Sequence, residues 1–238
     1  MKLTGFRPAL LLVAGALALA PIAFGRGGKK EGREEGVYAI LVDGREIGRE
    51  KYAHLVGDES ASSTSVLDFR NPSGAPLKLH FETQLEMDGQ LRPRTYKLKT
   101  DVDGTKGFMF GSFSPNQAMF EYGSAGAPKR SGMLVGNDYT LLDTNIFHHF
   151  IFLGRRFKFN SKEKVQRFEV VIPQESDSGV LKIREVGREA LVVRGKRQET
   201  HHLEVDSGAK LIELWIDGRR TLHKIAVPSL RLEVLRSP

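Results

Sequence analysis

Short segments of alternating apolar and polar residues, separated by Asp-Gly pairs, constrain the fold of this chain more than any other feature. In the segment 77–87, for example, apolar residues occupy nearly every second position. Such alternation is typical of a β-strand with one buried face. An Asp-Gly pair favours a tight hairpin turn because both residues tolerate a positive φ angle. The pairs in this chain are Asp43-Gly44, Asp88-Gly89, Asp103-Gly104 and Asp217-Gly218.

Roughly a dozen such segments follow one another from Val37 to Leu235, and the spacing between their turns is typical of all-β proteins. This pattern predicts an all-β fold, in which a strongly curved antiparallel meander forms a half-barrel or a barrel. The Ser-rich segment Asp58–Ser65 has the weakest strand pattern, and we expect it to be a mobile loop or the irregular start of a strand.

One segment, from Leu142 to Phe157, breaks the strand pattern and predicts a short helix at about 144–154. Asp143 or Thr144 is a suitable N-cap, and Asn145 lies four residues before His149, where it could orient the imidazole ring. Because the helix is apolar nearly all round, we expect it to be buried in the concave side of the sheet. The apolar residues are Ile146, Phe147, Phe150, Ile151, Phe152 and Leu153.

The N-terminus predicts export. Lys2 and Arg7 precede an apolar run that ends in Ala23-Phe24-Gly25, the order of a secretory signal peptide. We therefore expect a signal peptide at 1–25, a flexible linker at 26–36 and a single β domain at 37–238. The chain has no Cys, so it contains no disulfide and no lipoprotein acylation site. These features favour a periplasmic or otherwise exported protein of the bacterial envelope that is not an integral membrane protein after signal cleavage.

Three short motifs are similar to those of uncharacterised exported bacterial all-β proteins that are grouped as a domain of unknown function. This resemblance implies a strongly curved antiparallel sheet, distantly like the half-barrel of periplasmic lipoprotein carriers. It implies no activity and offers no catalytic residues. The motifs are Tyr38-x-Ile40-x-Val42-Asp43-Gly44-x-x-Ile47-Gly48, then Leu142-Asp143-x-Asn145-x-Phe147-His148-His149, and finally Leu214-Trp215-Ile216-Asp217 with Ile225-Ala226-Val227-Pro228 and Leu232-Glu233-Val234-Leu235-Arg236.

The charge pattern argues against nucleic acid as a partner. The formal net charge is +7, and it falls to +5 without the two cations of the signal segment. Charges of both signs are interleaved along the chain, whereas nucleic-acid-binding proteins usually carry a basic stripe. The glycines are dispersed among turns and form no phosphate-binding loop. We expect no cofactor.

The histidine pairs His148-His149 and His201-His202 suggest a metal site, but adjacent residues point in different directions on a helix or a strand. Neither pair can chelate one ion by itself. A composite site with one member of each pair and Asp143 or His80 stays open. A hydrolase that uses His148 or His149 with Asp143 is the corresponding enzymatic hypothesis.

The aromatic residues offer a different function. Core packing is their ordinary role, but those near the helix could instead line an apolar cavity between the helix and the sheet. Trp215 lies opposite Leu214 and Ile216 on its strand, so it is either an exposed contact for a partner or part of a second buried layer. The candidate ligand-binding residues are Phe147, His149, Phe150 and Phe152 on the helix, with Phe110 and Phe120 on the sheet.

The sequence therefore favours a non-catalytic envelope protein that binds an apolar or amphipathic ligand, such as a lipid or an acyl chain, or an envelope partner protein. The alternatives are a metal- or His/Asp-dependent hydrolase and a structural protein of envelope assembly.

Overall fold

The structure, a computed structural model, describes residues 32–70, 78–124, 128–193 and 195–237. These residues form one 15-stranded sheet that is strongly curled but not closed, with a single α-helix, α1 (His149–Arg156), on its concave side. The predicted all-β fold with a curved sheet and one buried helix is confirmed. The predicted signal peptide at 1–25 lies outside the described residues, as do residues 26–31 of the predicted linker.

A twisted open sheet of more than about ten strands usually curls, and this sheet has 15 strands. Their bounds are β1 Gly32–Val42, β2 Arg45–Val56, β3 Ser60–Arg70, β4 Lys78–Asp88, β5 Pro93–Val102, β6 Thr105–Ser114, β7 Gln117–Gly123, β8 Lys129–Leu134, β9 Tyr139–Leu141, β10 Val165–Ile172, β11 Asp177–Val193, β12 Lys196–Asp206, β13 Leu211–Asp217, β14 Leu222–Val227 and β15 Leu232–Arg236. Two short 3₁₀ turns occupy Pro173–Glu175 and Pro228–Leu230.

The sheet consists of two meanders that are joined at its middle. Strands β1 to β8 run outward in one direction, and strands β15 to β9 run outward in the other. The first and last strands, β1 and β15, pair antiparallel and hold the two halves together. All pairs are antiparallel except β9 with β10, which are parallel because the chain passes through α1 between them.

The Asp-Gly turns behave as the sequence predicts at two of the four positions. Asp43 and Gly44 have φ angles of 52° and 72°, and Asp103 and Gly104 have φ angles of 49° and 86°. Both pairs therefore form the tight hairpin turns expected between β1 and β2 and between β5 and β6. After β4 and β13 the positive φ angle falls instead on Leu91 and Arg220, so those connections are longer turns.

Helix α1 spans His149–Arg156, which is later and shorter than the predicted 144–154. The helix does not end at Gly154. A Cβ atom at that position would lie 2.4 Å from Cδ1 of Ile216, so glycine allows the helix to approach β13 closely. Arg155 and Arg156 occupy the last turn, where cations are favoured by the helix dipole.

The domain also begins earlier than predicted, because residues 32–36 belong to β1 and not to the linker. These residues pair with Tyr52–Val56 at the end of β2. The predicted boundary lies too late because this segment is rich in charged residues, which are typical of a linker. Glu34 is held in place by ion pairs with Arg155 and Arg236, which come from distant parts of the chain.

Candidate functional site

The start of α1 is held by a buried carboxyl group from the sheet. Glu50 lies in β2 and is fully buried, with 0 % exposure. Its Oε2 accepts hydrogen bonds from the backbone N–H groups of Phe147 and His148, both at 3.0 Å. Its Oε1 accepts a hydrogen bond from Nδ1 of His148 at 2.7 Å. Glu50 thus binds two backbone N–H groups at the start of α1, including that of the cap residue His148, and it does so from a different element.

Asp143, the predicted N-cap, has another role. Its Oδ1 accepts hydrogen bonds from the backbone N–H groups of Thr144 and Gln174, and its Oδ2 accepts one from the hydroxyl of Tyr96 at 2.7 Å. Burial raises the pKa of Asp143, although these hydrogen bonds oppose the shift. Asp143 therefore ties the segment before α1 to β5 and to the Pro173–Glu175 turn. The cap residue of α1 is His148, and it makes no side-chain capping bond.

The two histidines at the start of α1 are buried with little access for any substrate. His148 and His149 are both 0 % exposed, and their ring centroids lie 4.5 Å apart. Nδ1 of His149 accepts a hydrogen bond from the backbone N–H of Asp143, and burial lowers its pKa well below the ordinary value. Among the described residues, no hydrogen bond joins the Asp143 carboxyl group to either ring. The predicted His/Asp pair is therefore not assembled as a base and its orienting acid.

Asn145 also differs from its predicted role. It is exposed and has a φ angle of 64°, so it forms a left-handed turn before α1 instead of lying on the helix. The ring of His149 is oriented by the backbone of Asp143 and by an edge-on contact with Tyr96, whose ring centroid lies 5.6 Å away.

A second polar cluster links α1 to the junction of the two meanders. Oε2 of Glu34 lies 3.1 Å from a guanidinium nitrogen of Arg155 and 3.3 Å from Nε2 of His54, and Oε1 of Glu34 lies 2.6 Å from Arg236. Burial raises the pKa of Glu34, but the hydrogen bonds and charges of His54 and Arg236 outweigh it and lower the pKa to about 2. The hydroxyl of Tyr52 adds a further hydrogen bond to Glu34 at 3.3 Å.

An apolar pocket of about 170 Å³ lies beside the Glu50 cluster, at the end of the curled sheet that carries the β1–β2 turn. We call it the mouth pocket. One wall is the side chain of Phe147, immediately before the cap of α1, and Asn145 lies at its rim. Leu230 is 47 % exposed at this opening. The lining residues are Ile40, Val42, Ile47, Phe69, Asn145, Phe147, Leu230 and Leu232.

Two local features of β2 shape the mouth pocket. Ile40 pairs with Gly48 and Leu41 pairs with Glu46, so Ile47 is the extra residue of a β-bulge. A bulge redirects a side chain, and here it accompanies the placement of Ile47 in the pocket wall. A Cβ atom at Gly48 would lie 2.4 Å from both the carbonyl oxygen of Asp68 and the Cβ of Phe69. Glycine at this position therefore allows the close approach that places Phe69 in the opposite wall.

Of the predicted ligand-binding residues, only Phe147 lines the mouth pocket. Phe152 and Phe120 are buried in the core at 1 % and 2 % exposure, and His149 belongs to the polar cluster. Phe150 is partly buried against the core. Phe110 is 39 % exposed, and its neighbours Met109 and Gly111 have the buried orientation, so it lies on the outer face of β6. These residues do not line a common cavity, because α1 itself fills the concave side of the sheet.

Trp215 lies on the outer face of β13 and is covered, with 7 % exposure. Its indole N–H donates to Glu189 at 2.9 Å, its ring stacks on His202 at a centroid distance of 4.5 Å, and Nζ of Lys224 lies 4.9 Å from the ring centroid. The prediction of an exposed partner contact at Trp215 is thus not met in this structure, because neighbouring strands supply the cover.

The remaining histidines have separate carboxyl partners. Their pairs are His80 with Asp68, His201 with Glu185, His202 with Glu189 and His223 with Asp217. Within the part of the chain that the structure describes, no group of three or more His, Cys, Asp or Glu residues is arranged to hold a metal ion. The composite metal site considered from the sequence is not assembled.

Sequence reasoning missed Glu50, Glu34 and Tyr96, which organise the site. One signal was available for Glu50. Glu50 shares one face of β2 with Tyr52 and His54, whereas Arg49 and Lys51 lie on the other face. A charged residue on the buried face of a strand indicates a specific partner, because an unpaired buried charge is costly.

Comparison with known proteins supports the fold. No family model matches the chain, and no curated protein matches it in sequence. The chain is similar to the crystal structure of a β-barrel-like protein of the domain of unknown function DUF1849 from Brucella abortus, with a TM-score of 0.57 and 10 % identity. The match covers 85 % of this chain and 94 % of that chain. The predicted resemblance to an all-β domain of unknown function is confirmed at the level of the fold. The helix of the described residues is not long or apolar enough to cross a bilayer.

Proposed function

We propose that this protein binds an alkyl chain or a similar apolar group in the mouth pocket and acts in the bacterial envelope after export. The observation that carries the proposal is a pocket with predominantly apolar walls that stays partly open to solvent at Leu230. Exposed apolar surface of this kind often marks a ligand or partner site. The mouth of a curled sheet is also a usual location for a ligand pocket.

The size of the pocket limits what enters it. An apolar cavity of about 150 Å³ binds a single benzene ring, so a pocket of about 170 Å³ accommodates one ring or a similar length of alkyl chain. Burial of roughly six methylene groups would contribute about 5 kcal/mol, before the entropic cost of binding. Since micromolar affinity needs about 8 kcal/mol, we expect only about millimolar affinity for a single short chain, with the remainder of a longer ligand outside the pocket.

The sequence motif that suggested the family lies in the walls of this pocket. Ile40, Val42 and Ile47 line it, and Gly48 positions Phe69. The rest of the concave side is filled by α1 and its polar clusters. The proposed ligand site therefore lies at the end of the sheet and not between the helix and the sheet, where the sequence predicts it.

A pocket-filling substitution tests the proposal. Val42 is partly buried in the pocket wall, and Val42→Phe should occupy the pocket with little effect on the fold. We expect octan-1-ol to bind the native protein in a ligand-observed NMR titration and to lose most of that binding in the variant. Val165→Phe, at a 46 % exposed valine of β10, is the matched control and should bind octan-1-ol like the native protein.

Equal octan-1-ol binding by the native protein and by Val42→Phe, with both proteins folded by circular dichroism, would contradict the proposal.

Export is tested separately. Fusion of residues 1–36 to a reporter that is active only in the periplasm should give activity, and deletion of the apolar run should abolish it.

A further inference from the structure

Asn145 differs from every other described residue of the mouth pocket, because the rest of the lining consists of Ile, Val, Phe and Leu. It is exposed at the rim, and its side-chain amide forms no hydrogen bond with any of the described residues. Ligand pockets typically combine apolar walls with a small number of polar groups that orient the ligand. The amide of Asn145 is therefore the group in this pocket that can select a ligand by its polar end.

The backbone at this position does not by itself require asparagine. Asn145 has a φ angle of 64° in a turn that is closed by a hydrogen bond from the N–H of Ile146 to the carbonyl oxygen of Asp143 at 3.2 Å. Glycine and asparagine both suit such a position. Glycine would fit the backbone at least as well, but only asparagine adds a side chain that both donates and accepts hydrogen bonds.

The turn that carries Asn145 is anchored on both sides. Before it, the hydroxyl of Thr144 donates to Glu175, and the carbonyl oxygen of Thr144 accepts a hydrogen bond from the side-chain amide of Gln174, both at 2.7 Å. After it, the backbone N–H of Phe147 donates to the buried carboxyl group of Glu50. The backbone of Asn145 is thus held in place before a ligand arrives, which lowers the entropic cost of binding.

The charges around the pocket favour an uncharged ligand. Among the described residues, no charged side chain lines the mouth pocket. Arg231, which lies between two lining leucines, forms an ion pair with Asp43 of the β1–β2 turn at 2.9 Å, and its carbonyl oxygen accepts a hydrogen bond from the N–H of Asp43. A charged headgroup would therefore lose hydration beside apolar walls without gaining an opposite charge, which is costly.

We infer that the ligand of the mouth pocket is an uncharged amphiphile, whose apolar part enters the pocket and whose amide or hydroxyl end is hydrogen-bonded by Asn145. The inference rests on the proposed function and adds the chemical class of the ligand. A primary amide matches Asn145 best, because it can donate to Oδ1 and accept from Nδ2 of the same side chain. A hydroxyl group can use the same two atoms, whereas a carboxylate can only accept.

The substitution Asn145→Gly tests the inference, because glycine tolerates the positive φ angle and removes only the amide. Octanamide and toluene are the two probes, since toluene fills an apolar pocket and has no hydrogen-bonding group. In a ligand-observed NMR titration, the variant should bind octanamide roughly threefold to tenfold more weakly than the native protein, and its toluene affinity should change less than about twofold. The native protein should also bind octanamide more tightly than octanoate.

The matched control is Asn116→Gly, at an exposed asparagine between β6 and β7 that has nearly the same φ angle, 65°. This control should leave the affinities for both probes unchanged. If Asn145→Gly binds octanamide like the native protein, or if the native protein prefers octanoate, the uncharged headgroup is excluded while toluene binding leaves the apolar pocket intact. If the native protein binds neither toluene nor octanamide, the proposed function fails as well.

Discussion

The polar cluster around Glu50 and the mouth pocket meet at Phe147, but they differ in the kind of group that each contains and in how far that group is buried. The backbone N–H of Phe147 donates to the buried carboxyl group of Glu50, while its side chain forms a wall of the pocket. On the Glu50 side, a carboxyl group is fully buried and is hydrogen-bonded to the distant segment at the start of α1. On the pocket side, apolar groups are left partly uncovered. The first arrangement fixes α1 in the sheet, and the second offers surface to a ligand.

This comparison predicts which substitutions should lower the stability of the fold and which should weaken ligand binding. Removal of a partner from a buried polar cluster leaves other groups unsatisfied, so the free energy of unfolding should fall strongly. Removal of an exposed apolar side chain should cost little stability but should weaken binding. Substitutions on the two sides of Phe147 therefore test the comparison directly.

The largest effect is expected for Glu50→Ala. The substitution leaves the backbone N–H groups of Phe147 and His148 and the ring of His148 without their acceptor, and it should lower the free energy of unfolding by about 3–5 kcal/mol. Urea unfolding followed by circular dichroism measures the change. Glu46→Ala, which removes an exposed ion pair from the same strand, is the control and should cost less than about 1 kcal/mol.

If Glu50→Ala does not fold, Glu50→Gln preserves the side-chain shape and allows the same measurement. A loss as small as that of Glu46→Ala would show that Glu50 does not hold α1. The contrast between the Glu50 cluster and the mouth pocket would then be wrong.

The second effect concerns acid stability. The pKa of Glu34 is about 2 in the folded protein, below its ordinary value of 4.5. The unfolded chain therefore binds the proton first as the pH falls. The contribution of Glu34 is complete above about pH 5, decreases as the pH falls toward 2, and reaches at most about 3 kcal/mol.

The measurement for Glu34 is the unfolding free energy at pH 7 and at pH 3 for the native protein and for Glu34→Gln. The difference between the two proteins should shrink at pH 3. A difference that stays constant over this range would show that the pairs with His54, Arg155 and Arg236 do not stabilise the ionised carboxyl group.

A smaller effect is expected for Tyr96→Phe. This substitution removes the hydrogen bond to Asp143 and leaves one oxygen of a buried carboxyl group without that donor, so the loss should be about 2 kcal/mol. Tyr139→Phe is the matched control, because its hydroxyl donates to the backbone carbonyl of Ser114 at 3.1 Å and should cost about 1 kcal/mol. Equal losses would mean that the Asp143 bond is an ordinary one.

The smallest effect on stability should come from the pocket side. Leu230→Ser removes a side chain that is 47 % exposed, so the free energy of unfolding should change by less than about 1 kcal/mol, while octan-1-ol binding should weaken severalfold. Leu134→Ser, at an 85 % exposed leucine of β8, should change neither quantity. A large loss of stability in Leu230→Ser would place Leu230 in the core and remove the contrast between the two regions.

The strands were largely predictable because alternation and turn chemistry are local properties. The segment Ala61–Ser65 is the instructive exception. Its small polar residues have weak strand propensity, yet Ala61, Ser63 and Ser65 are buried in β3 between β2 and β4. Pairing on both sides, together with the hydrogen bond between Ser65 and Thr83 at 2.8 Å, overrides the local preference.

The candidate site was less predictable because its residues come from separate parts of the chain. Phe147 was identified from its place in an apolar segment. The other walls of the pocket, among them Ile47, Phe69 and Leu230, converge only when the curled sheet brings the ends of β1, β2, β3 and β15 together. The bulge at Ile47 also has no clear signal in the sequence, since it arises from a shift of register against β1.

The sequence by itself determined the all-β class, the curvature-prone meander, the two tight hairpin turns and the presence of one apolar helix, because alternation, turn residues and helical spacing act over a few residues. Only the tertiary structure decided that Glu50 holds this helix, that Trp215 is covered, and that the apolar opening lies at the end of the sheet. Those outcomes depend on which distant side chains the curled sheet brings within hydrogen-bonding or van der Waals distance. No local pattern encodes that proximity.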